Sequence, residues 1–156
     1  MSLPPALLRA RGAWTGHNHL YLPGEPVRHS AAAATIETVV SGKFVTIDYS
    51  WHFDDLAQEG LLLLGQNDAE DGRFVASWAD SWHMNDDLMP LQGRAEEDDA
   101  IVLWGEYAAG DGPAWGWRID LRAADSDNFE LLMFNVTPAG EEMLAVEMTL
   151  GRRPLP

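Results

Sequence analysis

Apolar and polar residues alternate with a period of two along most of this chain, and turn-forming residues interrupt the alternation about every ten positions. Successive strand side chains point to opposite faces, so this pattern predicts β-strands with one buried side rather than helices, whose stripe repeats every 3.6 residues. Ten strands are expected, at about 12–21, 31–40, 44–53, 60–66, 73–83, 88–95, 100–108, 114–122, 128–136 and 142–152. The links "SGK" (41–43), "NDAEDG" (67–72), "EEDD" (96–99), "DSDN" (125–128) and "TPAGE" (137–141) are short. Short links make consecutive strands antiparallel neighbours. An open ten-strand meander would carry two unpaired edges, and closure removes them. The expected fold is therefore all-β, a single antiparallel meander barrel.

The interruptions that are not tight turns are few. "LPGEPVRHS" (22–30), with two prolines and a glycine, reads as a loop too short for a helical lid, and "AAGDGPAW" (108–115) as a second broad turn. "PPALLRA" (4–10) suits one helical turn, so residues 1–11 are expected to plug or flank one barrel end. No internal repeat or second domain is visible, and 1–156 reads as one barrel domain.

Alternation also assigns faces. Val45, Ile47, Tyr49, Trp51 and Phe53 fall together, opposite Thr46, Asp48, Ser50 and His52. Trp115, Trp117, Ile119 and Leu121 oppose Arg118, Asp120 and Arg122, which would form a wet side. Trp14, Gly16, Asn18 and Leu20 share a face, as do Phe129, Leu131, Met133 and Asn135. Leu132 and Phe134 add apolar residues to the other side of 128–136, an expected homodimer contact. The least ordinary stretch is "SWADSWHM" (77–84), where alternation sets Asp80 between Trp78 and Trp82 on the inward side.

Composition narrows the functional classes. With no cysteine, disulfides, thiolate metal sites and a cysteine nucleophile are excluded. The net charge of −15 opposes nucleic acid and anionic membrane surfaces as partners. The acidic clusters, such as "FDD" (53–55) and "NDD" (85–87), fall between apolar stretches and read as solvated turn tips. No run approaches the ~20 apolar residues that span a bilayer. The first twelve residues carry their arginines after a short apolar stretch, the reverse of a secretory signal, so a cytoplasmic location is expected.

"GAWTG" (12–16) is similar to the Gly-x-Trp opening of lipocalin-like (calycin) barrels. The ordered series "WTGHNHL", "EGLLLLG", "RFVASWADSWHM", "GWRIDL" and "PAGEE" resembles the bacterial family known as domain of unknown function 1579 across nearly the whole chain. That resemblance implies one lipocalin-like barrel and no transferable activity. It also implies structural roles for Gly12, Trp14 and Arg152, with Arg152 of the last strand packing over Trp14 at the closed end. A related ten-stranded barrel binds haem through a histidine near its C-terminal end, whereas no histidine follows His83 here.

The candidate chemistry centres on Asp80. An unpaired buried carboxylate raises its pKa, which makes a general acid or a ligand anchor. The alternative is that Asp80 pairs with an interior arginine such as Arg152, or caps backbone amides at a strand end. Asn18 and Asn135 would add neutral polar groups. Trp78, Trp82, Tyr49, Trp51, Trp115, Trp117 and Met133 would form apolar walls, with His83 at the rim where the strand meets "NDD". This constellation predicts a binding barrel for a small apolar or aromatic molecule. His17 and His19, at i and i+2, have a spacing that reaches one metal ion, with His29, His52 or Asp48 as third ligands, although Trp14 inward turns both outward. Ser81 and His83 fall opposite Asp80, so no Ser-His-Asp triad is expected, and no phosphate-binding glycine loop is present. Two other readings stand beside the binding barrel. One is an enzyme using Asp80 as acid or base or a metal on His17 and His19; the other is a structural domain whose barrel is filled.

Overall fold

The computed structural model describes residues 3–67 and 72–153. It is a closed ten-stranded antiparallel barrel preceded by one helical turn, α1 (Pro5–Arg9). The strands are β1 (Gly12–Leu20), β2 (Arg28–Val39), β3 (Phe44–Phe53), β4 (Leu56–Asn67) and β5 (Arg73–Asp80) in the first half. The second half holds β6 (Met89–Ala95), β7 (Ile101–Tyr107), β8 (Trp115–Arg122), β9 (Asn128–Val136) and β10 (Glu142–Arg152). Each strand pairs with the next, and β1 pairs with β10 from Trp14↔Arg152 to Leu20↔Val146, which leaves no edge.

Several strand ends differ from the alternation pattern. β4 starts at Leu56 because Asp54 and Asp55, with φ of 47° and 66°, make a two-residue hairpin turn of the kind that matches strand twist. The "FDD" run is that turn tip, and residues 97–99 form a short 3-10 turn. β2 starts at Arg28, so the first loop is shorter than expected. β5 stops at Asp80 and does not continue to 83. The 67–72 link lies largely outside the described residues.

The inward faces fill most of the barrel. Trp14, Ile36, Val45, Leu64, Phe74 and Leu103 are at most 1% exposed. One end is closed: Ala6 and Leu7 of α1 are buried, Leu7 joins the core cluster with Trp14, and the Trp14 indole donates to the Ala10 carbonyl at 2.9 Å. The Arg152 guanidinium lies 4.4 Å from the Trp14 ring centre and donates to the carbonyls of Ser126, Arg11 and Arg9 at 2.6, 2.7 and 2.7 Å. Gly12, at φ 129°, admits this guanidinium, since a Cβ there would sit 2.8 Å from Nη1. Arg152 is therefore engaged at the closed end and is not the partner of Asp80.

The outer face departs from a simple wet side. Asp120 is buried, held by Arg118 Nε at 2.8 Å and Arg122 Nη2 at 3.3 Å. Arg118 also lies 4.2 Å above the Phe134 ring, and Leu132 is buried, so the outer side of β9 exposes little apolar surface. Among the described residues no helix is long and apolar enough to cross a membrane.

Candidate functional site

The site begins with a row of inward positions on three strands. Tyr49 of β3 pairs with Gly60 of β4, and Gly60 pairs with Asp80 of β5. Gly60 is the enabling residue: a Cβ there would fall 2.0 Å from the Tyr49 ring. Without it the ring lies flat across β4, and the Tyr49 hydroxyl donates to Asp80 Oδ2 at 2.7 Å. That hydroxyl also accepts the Trp78 indole N–H at 2.9 Å. Trp78, Tyr49 and Asp80 thus form one buried hydrogen-bonded chain.

The other carboxylate oxygen ends the strand. Asp80 Oδ1 accepts the backbone N–H groups of Trp82 and His83, both at 2.8 Å, and the Met84 N–H donates to the Asp80 carbonyl at 3.0 Å. An Asp side chain that captures amides two and three residues on replaces the ladder with a turn. The turn carries the imidazole back, so His83 Nδ1 lies 3.0 Å from Asp80 Oδ1. Alternation placed His83 opposite Asp80, and the turn overturns that assignment. Trp82 is on this turn too, packing against Phe53 at 5.2 Å and Trp51 at 5.9 Å between ring centres. Ser81 faces away: its hydroxyl donates to Gln58 at 2.7 Å and accepts the Glu59 N–H at 3.0 Å, so it forms no triad with His83.

The electrostatics follow from this geometry. Burial pushes the Asp80 carboxyl upward, but the His83 and Tyr49 hydrogen bonds, the His83 charge and a backbone N–H together hold it below the ordinary carboxylate range. The expected raised, unpaired acid is replaced by an ionised, fully partnered one. Burial, reinforced by the adjacent Asp80 charge, pushes the Tyr49 phenol well above its usual value. A carboxylate accepts only, so the proton between His83 and Asp80 belongs to Nδ1.

Four tryptophans surround that imidazole, with Trp82, Trp117, Trp78 and Trp51 at 4.7, 5.5, 5.8 and 5.9 Å between ring centres. Trp78 and Trp117 stack at 5.2 Å with planes 10° apart. Above them, at the end opposite α1, opens a cavity of about 460 Å³. Trp78, Trp117 and the 82–87 turn form one part of its wall, and Met89, Tyr107, Ala108 and Asn135 the other. The Tyr107 hydroxyl donates to Asn135 Oδ1 at 2.5 Å across the cavity rim.

The structure therefore brings Trp78, Trp82, His83, Trp117 and Asn135 to the cavity and places other expected residues elsewhere. Tyr49, Trp51 and Met133 are buried and do not line it; half-buried Trp115 does not line it either. Asn18 is buried inside the barrel and its Oδ1 has no partner. Met84, Asn85, Asp87, Met89 and Tyr107 were not legible as site residues, because strand alternation points to interior positions and these stand at strand ends or on the turn. Gly60 left one signal, a glycine opening the apolar run "GLLLL".

The histidine pair on β1 faces outward. His17 is exposed, and His19 packs its ring against His29 at 4.6 Å with Nδ1 3.3 Å from Glu147. His52 and Asp48 do not join them: among the described residues no three His, Cys, Asp or Glu side chains are grouped to hold a metal ion.

Fold and site together define a lipocalin-like ten-stranded barrel with one plugged end and an aromatic cavity at the other. The chain belongs to the family described as protein of unknown function DUF1579, whose model it matches over residues 5–152. Among solved structures, Rv2717c from M. tuberculosis is similar at a TM-score of 0.65 and 15% identity, over 98% of this chain and 100% of that one. The S-type phycobiliprotein lyase CPES from Guillardia theta is similar at 0.63 and 15% identity, over 100% of this chain and 94% of that one. At this identity the likeness is one of fold. No curated protein sequence matches the chain.

Proposed function

We propose that this protein binds one small, mostly apolar or aromatic molecule in the cavity at the open end of its barrel. The observation that carries the reading is the cavity itself: about 460 Å³, within the range of ligand pockets, floored by stacked Trp78 and Trp117 with His83 held beside them. Trp78, Trp82, Trp117 and Met89 supply the apolar contact, while Asn135 and His83 orient the ligand. Asp80 and Tyr49 act from behind, fixing His83 and Trp78 without lining the cavity. The likeness in fold to a phycobiliprotein lyase is in keeping with a barrel that handles a small molecule. An ionised Asp80 with every oxygen occupied argues against that carboxyl as a general acid. The strong negative charge favours neutral or cationic ligands over anions and disfavours nucleic acid and anionic membranes. Together with the absence of cysteine it suits a cytoplasmic setting.

Native mass spectrometry of freshly purified protein, set against its denatured mass, tests this directly. A small-molecule adduct that vanishes on denaturation, and is lost in Trp117→Ala, is the expected result. A clean mass, together with no response of tryptophan emission to a panel of neutral aromatic probes, would favour a filled barrel.

A further inference from the structure

We propose that the occupant of this cavity is an organic cation whose charge is spread over apolar surface, as in an N-alkylated heteroaromatic ring, drawn in by an acidic mouth and held against Trp82 and Tyr107. The inference rests on the cavity being a binding site and adds the charge and chemical class of its occupant.

The argument starts from how charge is placed along the barrel axis. The links at the open end are 21–27, 54–55, 81–88, 108–114 and 137–141. They carry seven carboxylates and no lysine or arginine. Arg28, the first residue of β2, borders them, but Glu25 and Asp54 take up its charge. Among the described residues no ion pair holds the other five acids, Asp55, Asp86, Asp87, Asp111 and Glu141. Lys43, Arg94, Arg152 and Arg153 stand instead at or beside the closed end. A mouth lined by one sign of charge concentrates ligands of the other sign before they dock.

The wall agrees with that sign. Its members that reach solvent include half-buried Trp82, Tyr107 and Met84 and exposed Asp87, and the wall holds no lysine or arginine. Aromatic faces attract cations, tryptophan most strongly, and a thioether is polarisable. Asp87 supplies a carboxylate at the cavity itself. His83 is the one wall residue able to carry positive charge. Its Nδ1 lies 3.0 Å from Asp80 Oδ1, and Asp80 is held ionised, so the pair has no net positive charge whether the imidazole is protonated or neutral. A neutral ring would use the indoles and leave the carboxylates idle, and an anion would meet them as repulsion. A cation with apolar surface uses both.

Isothermal titration calorimetry on the full chain with three probes of one shape tests this. They are 1-methylquinolinium, a cation; 1-methylnaphthalene, its neutral isostere; and 2-naphthoate, an anion. The expected result is that the cation binds one site at least about tenfold more tightly than its isostere, the size of a desolvated cation–aromatic contact. Added salt should weaken the cation and leave the isostere unchanged, since it screens the carboxylates of the mouth. Asp87→Asn should weaken the cation by about threefold and spare the isostere, and Trp82→Leu should cost the cation more than the isostere. If Trp82→Leu fails to fold because Phe53 and Trp51 lose their neighbour, the wild-type comparison and Asp87→Asn carry the test. Equal binding of cation and isostere, or preference for naphthoate, would overturn the cation while leaving the cavity a binding site. A cation taken up in several equivalents and indifferent to both substitutions would be a counter-ion of the acidic surface, which overturns it too. Binding of no probe also overturns it, and the native adduct then decides the cavity reading separately.

Discussion

Tyr49→Phe is the most informative single change, because it removes one oxygen and nothing else from the row that supports the cavity floor. That oxygen makes two buried hydrogen bonds, donating to Asp80 Oδ2 at 2.7 Å and accepting from Trp78 Nε1 at 2.9 Å. A bond to a charged group contributes about 1.5–3 kcal/mol and a neutral one about 0.5–1.5 kcal/mol. Their sum is about 2–4.5 kcal/mol, and phenylalanine offers neither partner a replacement. For a chain of 156 residues each kcal/mol moves the melting temperature by about 2–4 °C, so a loss near 3 kcal/mol should lower it by roughly 6–12 °C. Urea denaturation followed by tryptophan emission should show a lower midpoint with an unchanged slope, since the surface exposed on unfolding stays the same. A double-mutant cycle with Asp80→Asn should give a coupling of about 1 kcal/mol or more, as expected for groups in direct contact. A loss below about 0.5 kcal/mol, the range of surface substitutions, or full additivity in the cycle, would refute the network as a support of the floor.

Gly60→Ala should be at least as damaging, about 3–5 kcal/mol, because a Cβ 2.0 Å from the Tyr49 ring adds overpacking to the same lost bonds; urea midpoints matching wild type would contradict the close approach. Asp80 sits below the ordinary carboxylate range when folded, so its stabilisation is present above about pH 4, its unfolded value, and is lost as pH falls through its lower folded value. Asp80→Asn should therefore flatten the acid side of the stability profile below about pH 4, and urea midpoints at pH 7, 4 and 3 check the slope. The Tyr49 phenol is raised, so its contribution holds below about pH 10 and fades above it, and Tyr49→Phe should remove that alkaline loss. Arg152→Lys forfeits the fork that reaches three carbonyls and covers Trp14, with an expected loss of about 2–3 kcal/mol and altered near-ultraviolet dichroism; an unchanged melt would count against the clamp.

The barrel was legible in the sequence because its information is carried by alternation, and alternation survives small errors at strand ends. The strand at 44–53 was readable to its last residue, since Val45, Ile47, Tyr49 and Trp51 are buried on one face and Phe53, on the same face, is half-buried. The strand at 73–80 was not, and "SWADSWHM" shows why. Trp78, Asp80 and Trp82 keep their period of two whether the chain continues as a strand or turns after Asp80. What decides is the Asp80 carboxylate capturing two amides, and short polar side chains make that choice against the ladder without leaving a periodic trace. The same event moved His83 from the outside to the inside. Tyr49 and Asp80 were both assigned inward, but their contact depends on an absent side chain at Gly60, and a glycine in a strand marks a bulge or a tight bend as readily as a close approach. Asp120 failed for a related reason: its face is outward, yet two flanking arginines bury it.

A carboxylate between tryptophans therefore has a physical account that separates support from contact. Oδ2 anchors Tyr49 and through it Trp78, while Oδ1 builds the turn and orients the His83 ring through Nδ1. Asp80 thus specifies the positions of two rings that line the cavity without lining it itself. An apolar residue at position 80 would leave the Tyr49 hydroxyl and the Trp82 and His83 amides without their acceptor, so the floor depends on the carboxylate. Every Asp80 oxygen and the Trp78 indole are satisfied, whereas His83 Nε2 and Trp117 Nε1, buried atoms of two rings that belong to the cavity wall, have no protein partner.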